Sequence, residues 1–261
     1  MQADGIFLLF ADGARPDRMA IRAFCEECPF ASVAFDPAER RLRVVAGSEH
    51  DAVESAPSEQ DDFGWIDLLY SGLSFRLTGL APYRAVETPS HRHAYDIGPI
   101  SGDFEAVRLC VGDHLKGAQG TLPVFRGMLA LARDLVRHFE GVHAVAWPPA
   151  NSVIGRRYFE STVTAWLEGG AFPALGLASF VQADDGSLES VGLAYLVDQE
   201  MSIAPVLASD PVTATRLGVR IANHLVLAGG ISEREEFTGP DGASLVMEPS
   251  DGGRIVRIKR E

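Results

Sequence analysis

Lysine is almost missing from this 261-residue chain: only Lys116 and Lys259 occur, and every other basic residue is arginine. The bias fits a G- and C-rich coding sequence and carries no functional weight. Basic residues as a whole are scarce, with 23 Lys and Arg against 36 Asp and Glu, a formal net charge of -13. That excess repels nucleic acid phosphates and anionic lipid headgroups, which excludes both as expected partners. A basic protein partner is the kind this charge favours. No apolar run approaches the roughly 18 residues that a membrane helix needs. The opening Met1-Gln2-Ala3-Asp4-Gly5 lacks the basic and then apolar layout of a secretory signal, so a cytoplasmic protein is expected.

Cysteine is nearly as rare. Cys25, Cys28 and Cys110 cannot build a disulfide framework, and an odd count fits a reducing compartment. Cys25 and Cys28 do form a C-x-x-C, but they close the helical-looking run Arg18 to Cys28, with Glu26 and Glu27 between them. A redox pair needs a helix N-terminus and nearby positive charge to lower the thiol pKa. This pair has neither, and Cys110 has no second cysteine near it to complete a zinc site. Structural thiols are expected, with no metal and no cofactor.

The familiar catalytic patterns are absent too. There is no G-x-S-x-G elbow, no G-x-G-x-x-G after a strand and no G-x-x-x-x-G-K-[ST], which removes the usual hydrolase and nucleotide-binding signatures. The paired acids Asp184-Asp185 and Glu235-Glu236 fall in expected turns, where neighbours do not face one another as acid/base chemistry requires.

What is present is the composition of a folded domain: 46% hydrophobic and 23% charged residues. Ile6 to Ala11 is a continuous apolar run expected as a buried strand, and Asp17 to Cys28 has helical spacing that Pro29 stops. Phe30 to Phe35 and Arg41 to Ala46 read as a hairpin around Asp36-Pro37-Ala38-Glu39-Arg40. Trp65 to Leu80 is apolar, but Gly64, Gly72 and Gly79 leave helix and strand both open. In the second half, Ala106 to Val111 predicts a strand. Phe125, Met128, Leu129, Ala132, Leu135, Val136 and Phe139 mark an amphipathic helix over Leu122 to Phe139. His143 to Trp147 is strand-like and ends at Pro148-Pro149. Ser152 as N-cap predicts a helix to Leu167, and Ser209-Asp210-Pro211 with Gly229-Gly230 brackets another over Pro211 to Ala228. Strands over Ala174 to Gln182 and Ser190 to Val197 flank Asp184-Asp185-Gly186, and Ala243 to Met247 with Arg254 to Ile258 forms a last hairpin with a charged edge strand.

Recurrent tight-turned strand pairs break the strict alternation of a doubly wound fold. The reading is α+β, with mixed or antiparallel sheets and packed helices. Residues 90–104, overlapping the proline-rich stretch Pro82 to Gly102, form an irregular connection between a β-α-β-β half (1–89) and a larger half (105–261). Two related ferredoxin-like half-domains and a single compact unit are both compatible with that order.

Candidate functional residues are few. His91 and His93 lie two positions apart, on one face if extended, a spacing that can hold a metal but that a solvated connector also shows. Trp147 ends a strand beside Pro148-Pro149-Ala150-Asn151, which reads as a recognition corner. Glu200 shares a strand face with Ser202, opposite Met201 and Ile203, and a surface carboxylate is the simpler account. From Glu49 to Asp62 the chain carries six acidic residues and no lysine or arginine, either a solvated loop or a docking surface for a basic partner.

Two of these segments carry a resemblance. His143-Ala144-Val145-Ala146-Trp147-Pro148 after the long helix, and Gly192-Leu193-Ala194-Tyr195 leading to Glu200-Met201-Ser202-Ile203, resemble stretches of a bacterial family catalogued as domain of unknown function forty-two sixty-one. The match covers the second half, and departs from the family at Ala146 and Ser202. The resemblance implies a stand-alone soluble α+β protein with no established activity, catalytic residue or cofactor. The favoured function, since no catalytic constellation is present, is a non-enzymatic binding module for a basic protein partner; the alternatives are an enzyme of unfamiliar type using His91, His93, His143 and Glu200, and a small-molecule sensor with an aromatic pocket around Trp147.

Overall fold

The computed structural model describes residues 5–39, 64–98 and 104–261. The strand expected over Arg41 to Ala46 and the acidic stretch Glu49 to Asp62 lie outside the described residues. The chain is an α+β protein with two mixed sheets, as the sequence pattern predicts.

The first sheet is built from β1 (Ile6–Ala11), β2 (Ala31–Phe35), β3 (Trp65–Tyr70), β4 (Leu73–Thr78), β5 (His93–Tyr95), β6 (Phe104–Val111), β7 (Val142–Trp147) and β8 (Ser152–Gly155), in the order β2-β3-β4-β6-β1-β7-β8-β5. Every pairing is antiparallel except β5 with β8. Strands from both sides of residues 90–104 share this sheet. The apolar stretch from Trp65 to Leu80, ambiguous in sequence, is a hairpin. Ser71 and Gly72 both have positive φ, 48° and 84°, as a two-residue type I′ turn requires.

On the inner face lie α1 (Arg18–Glu27), α2 (Leu122–His138) and α3 (Arg156–Leu167). Helix α2 buries the stripe Val124, Phe125, Met128, Leu129, Leu131, Ala132, Leu135 and Val136, so its periodicity translates directly into burial. Helix α3 starts three residues later than its serine suggests, with Gly155 at the N-cap position. Pro148-Pro149 ends β7, but Asn151 adopts the left-handed conformation at φ 48° and turns the chain back, so Ser152 to Gly155 pair with β7 instead of capping a helix. The buried Ser152 hydroxyl donates to the Gly176 carbonyl.

The second sheet holds β9 (Ser179–Gln182), β10 (Leu188–Val191), β11 (Glu200–Ile203), β12 (Glu235–Thr238), β13 (Ser244–Ser250) and β14 (Ile255–Arg260), in the order β12-β13-β14-β11-β10-β9. Helix α4 (Pro211–Ala228) packs on it, with Asp210 accepting from the Thr213 N–H and Gly229 ending it at positive φ. Several sequence expectations shift here. Ala174–Leu177 turns instead of extending, with Gly176 at φ 110°, and Ala194–Val197 is a helical turn because Gly192 at φ 96° breaks the chain after Val191. Glu235 and Glu236 lie in β12, not in a turn. Strand β14 is interior, flanked by β13 and β11, so its exposed Arg257 and Lys259 mark a solvated face, not an edge. One apolar core joins residues of both sheets.

Candidate functional site

The pleat sends alternate residues of β3, β4 and β6 to opposite faces. Ile66, Leu68, Phe75, Leu77, Val107 and Leu109 go inward and are buried. Outward go Trp65 and Asp67, Arg76 and Thr78, Arg108 and Cys110, which register places side by side: Asp67 opposite Arg76, Trp65 opposite Thr78, Arg76 opposite Cys110 and Thr78 opposite Arg108. Elsewhere this face is covered: Val86, Ile97 and Phe104 pack over Phe7, Leu9, Ala106, Ala144, Ala146 and Val153. Over β3, β4 and β6 it opens into a cavity of about 330 Å³, which Val86, Glu87 and Lys116 also line. That is the small end of the range for ligand sites, and its lining joins the apolar Trp65 and Val86 to the charged Arg76, Glu87, Arg108, Asp113 and Lys116.

The wall is fixed by a stack. Trp65 lies against Phe35 with ring centroids 5.5 Å apart and planes at 24°, while the Arg76 guanidinium sits 4.2 Å from the Trp65 centroid. Arg76 is in turn locked by two hydrogen bonds to Asp67, at 2.7 and 3.0 Å, and lies 3.3 Å from Asp113. The hydrogen bond to Asp67 moves the Arg76 pKa up, outweighing partial burial, which acts to lower it. Asp113 also holds Lys116 at 2.8 Å, and Lys116 and then Arg76 keep its carboxyl below the usual range.

Arg108 differs. Its Nε is enclosed without a hydrogen-bond partner, and its Nη2 reaches only the Cys110 sulfur at 3.7 Å. Among the described residues no carboxylate lies within ion-pairing distance of it. Only Nε is enclosed without a partner; Arg108 lines the cavity, where a bound anionic group would meet a cation that no carboxylate already pairs.

The residues singled out from sequence do not converge. Trp147 is a core residue and not a recognition corner: it is 1% exposed, donates from Nε1 to the Leu177 carbonyl at 3.0 Å and packs edge-on against Tyr195. Glu200 faces away from Met201 and Ile203, as strand alternation predicts, but its carboxylate serves its own chain. It accepts from the Ser190 hydroxyl and from the N–H groups of Gly192, Leu193 and Ala194, capping the turn Ala194–Val197. His91 is exposed, and His93 lies in edge strand β5, its N–H donating to the Asn151 carbonyl. No group of three or more His, Cys, Asp or Glu that could hold a metal occurs among the described residues. A larger cleft of about 510 Å³ takes in His143, Asp96, Glu140 and Arg157, and of the four residues weighed for an enzyme it contains His143 alone. Cys25 is unsuited to redox chemistry: burial, then the neighbouring Cys28, raises its thiol to about 11.

No family model matches the chain, and no match emerged among curated proteins or solved structures. No helix among the described residues is long and apolar enough to cross a membrane.

Proposed function

We propose that the protein is a non-enzymatic binding module for a small molecule and that its site is the cavity on the outer face of β3, β4 and β6. The observation that carries this reading is Arg108, a cation without a carboxylate partner among the described residues, set in a cavity with an apolar wall. It belongs to the sensor class, with Trp65 taking the place of Trp147. Membership in the family that segments 143–148 and 192–203 resemble is part of the reading, and would supply a fold without an activity.

Trp65 makes the test direct. Trp147 and Trp166 are 1% and 2% exposed, whereas Trp65 is half-buried at the cavity wall, so ligand-dependent tryptophan emission reports mainly on Trp65. Fragments from a chemically mixed library should change the emission of the wild type, and the change should vanish in Trp65→Phe. Binding should weaken in Arg108→Ala. Hits that leave both variants unaffected would move the site elsewhere and refute the proposal.

The net charge of -13 and the six acidic residues between Glu49 and Asp62 support a second reading, a basic protein partner. Such a partner should be captured from native lysate at low salt and lost at high salt as screening grows, and neutralising Glu54, Glu59, Asp61 and Asp62 should abolish capture.

A further inference from the structure

The charges around the cavity divide into two sets. Arg76 and Lys116 are already committed, Arg76 to Asp67 and Asp113, Lys116 to Asp113. Two charges of opposite sign remain. Arg108 has no carboxylate partner among the described residues, and Glu87, an exposed residue lining the same cavity, makes no ion pair or hydrogen bond there either. These two line one cavity yet are not within the 4.0 Å of a direct ion pair. A molecule carrying both charges would span that interval. Trp65 and Val86 add apolar surface to the same cavity.

We propose, resting on the binding-module reading, that the ligand is a small zwitterion of the amino-acid type with an apolar side chain. Its carboxylate meets the Arg108 guanidinium, its ammonium group meets Glu87, and its side chain lies against Trp65 and Val86. Planar guanidinium suits a carboxylate, which can take two parallel N–H donors. A polyanion fits poorly, because Glu87 and Asp113 both face the same space. A purely cationic ligand would meet Arg108 with like charge. The cavity of about 330 Å³ matches a compact molecule better than a nucleotide.

Four probes with one side chain separate the charges: L-leucine, N-acetyl-L-leucine, L-leucinamide and N-acetyl-L-leucinamide. They are compared by calorimetry and tryptophan emission at a pH of about 6.5, where the free amines are protonated. Leucine should bind tightest, and loss of either charge should weaken binding about tenfold or more, a difference of about 1.4 kcal/mol. Arg108→Gln should erase the preference for leucine over leucinamide. Glu87→Gln, a change at an exposed side chain that leaves the fold intact, should erase the preference for leucine over N-acetylleucine. Equal binding of leucine and the uncharged diamide, tighter binding of the anion alone, or no binding by any of the four would overturn the assignment. Library fragments that perturb Trp65 without a zwitterion preference would then leave the binding-module reading standing. An absence of hits in both sets would remove the two together.

Discussion

The contacts of Glu200 give a structural reason for a carboxylate at that position. One oxygen accepts from the Gly192 and Ala194 N–H groups at 2.7 and 3.1 Å, and the other accepts from Ser190 and Leu193. Gly192 is required on separate grounds, since it holds φ 96° and a Cβ there would come 2.8 Å from the Ala150 backbone. The carboxylate therefore secures a tight turn packed against the loop after β7. In Glu200→Gln one of the two acceptor oxygens becomes an amide nitrogen, which turns donors toward donors. We expect a loss of about 1.5–3 kcal/mol in urea unfolding, the range for hydrogen bonds to a charged group. An unchanged midpoint would show that the turn holds without the charge. Ligand binding at Arg108 should survive the substitution, because Glu200 does not line that cavity.

Asp36 does for an element pair what Glu200 does for a turn. It is 6% exposed, follows β2, and accepts from Arg18 and, at 2.7 Å, from Arg22, fastening α1 to the end of the strand. Burial alone would raise its pKa, but the Arg22 hydrogen bond, the Ala38 N–H and the charges of both arginines outweigh burial and lower it. A carboxyl depressed in the folded state adds stability above its unfolded pKa of about 3.9, and that stability is lost as pH falls through the folded value. Asp36→Asn should therefore be less stable at neutral pH by about 1–3 kcal/mol, with the deficit shrinking in acid. Parallel stability curves for the two proteins down to acid pH would sink this account. In sequence Asp36 reads only as the start of a hairpin turn, since its partners come from a helix 14 and 18 residues earlier. Helices α2 and α4 were legible because periodicity and caps are local signals, and both survive in the structure with near-identical bounds. The cavity was not legible. Arg76 and Cys110 become neighbours through register across 34 residues, and the glycines around Trp65 to Leu80 hid the strand alternation that would have marked Trp65, Asp67, Arg76 and Thr78 as one polar face.

At the scale of the whole molecule, two sheets could unfold separately or together, and the joint between them decides which. Trp147 of the first sheet donates to Leu177, just before the second. Ser179 of β9 donates to the Ala150 carbonyl at 2.8 Å and lies 3.2 Å from the Tyr95 hydroxyl of β5. Phe125 of α2 packs against Trp147, Trp166 and Tyr195, the last from the connection between β10 and β11. Neither sheet has a core closed without the other, so partial unfolding would expose large aromatic surface at roughly 25 cal/mol per Å². The chain should therefore unfold in a single transition, with near-ultraviolet dichroism of the tryptophans, far-ultraviolet dichroism and calorimetry giving one midpoint. Phe125→Ala tests the joint itself. Removing a fully buried phenylalanine costs about 3–5 kcal/mol. If the core is shared, that loss lowers one common midpoint and leaves the probes coincident. If the second sheet is independent, the transition splits, with the later phase keeping the wild-type midpoint, and the shared core ceases to be an energetic unit.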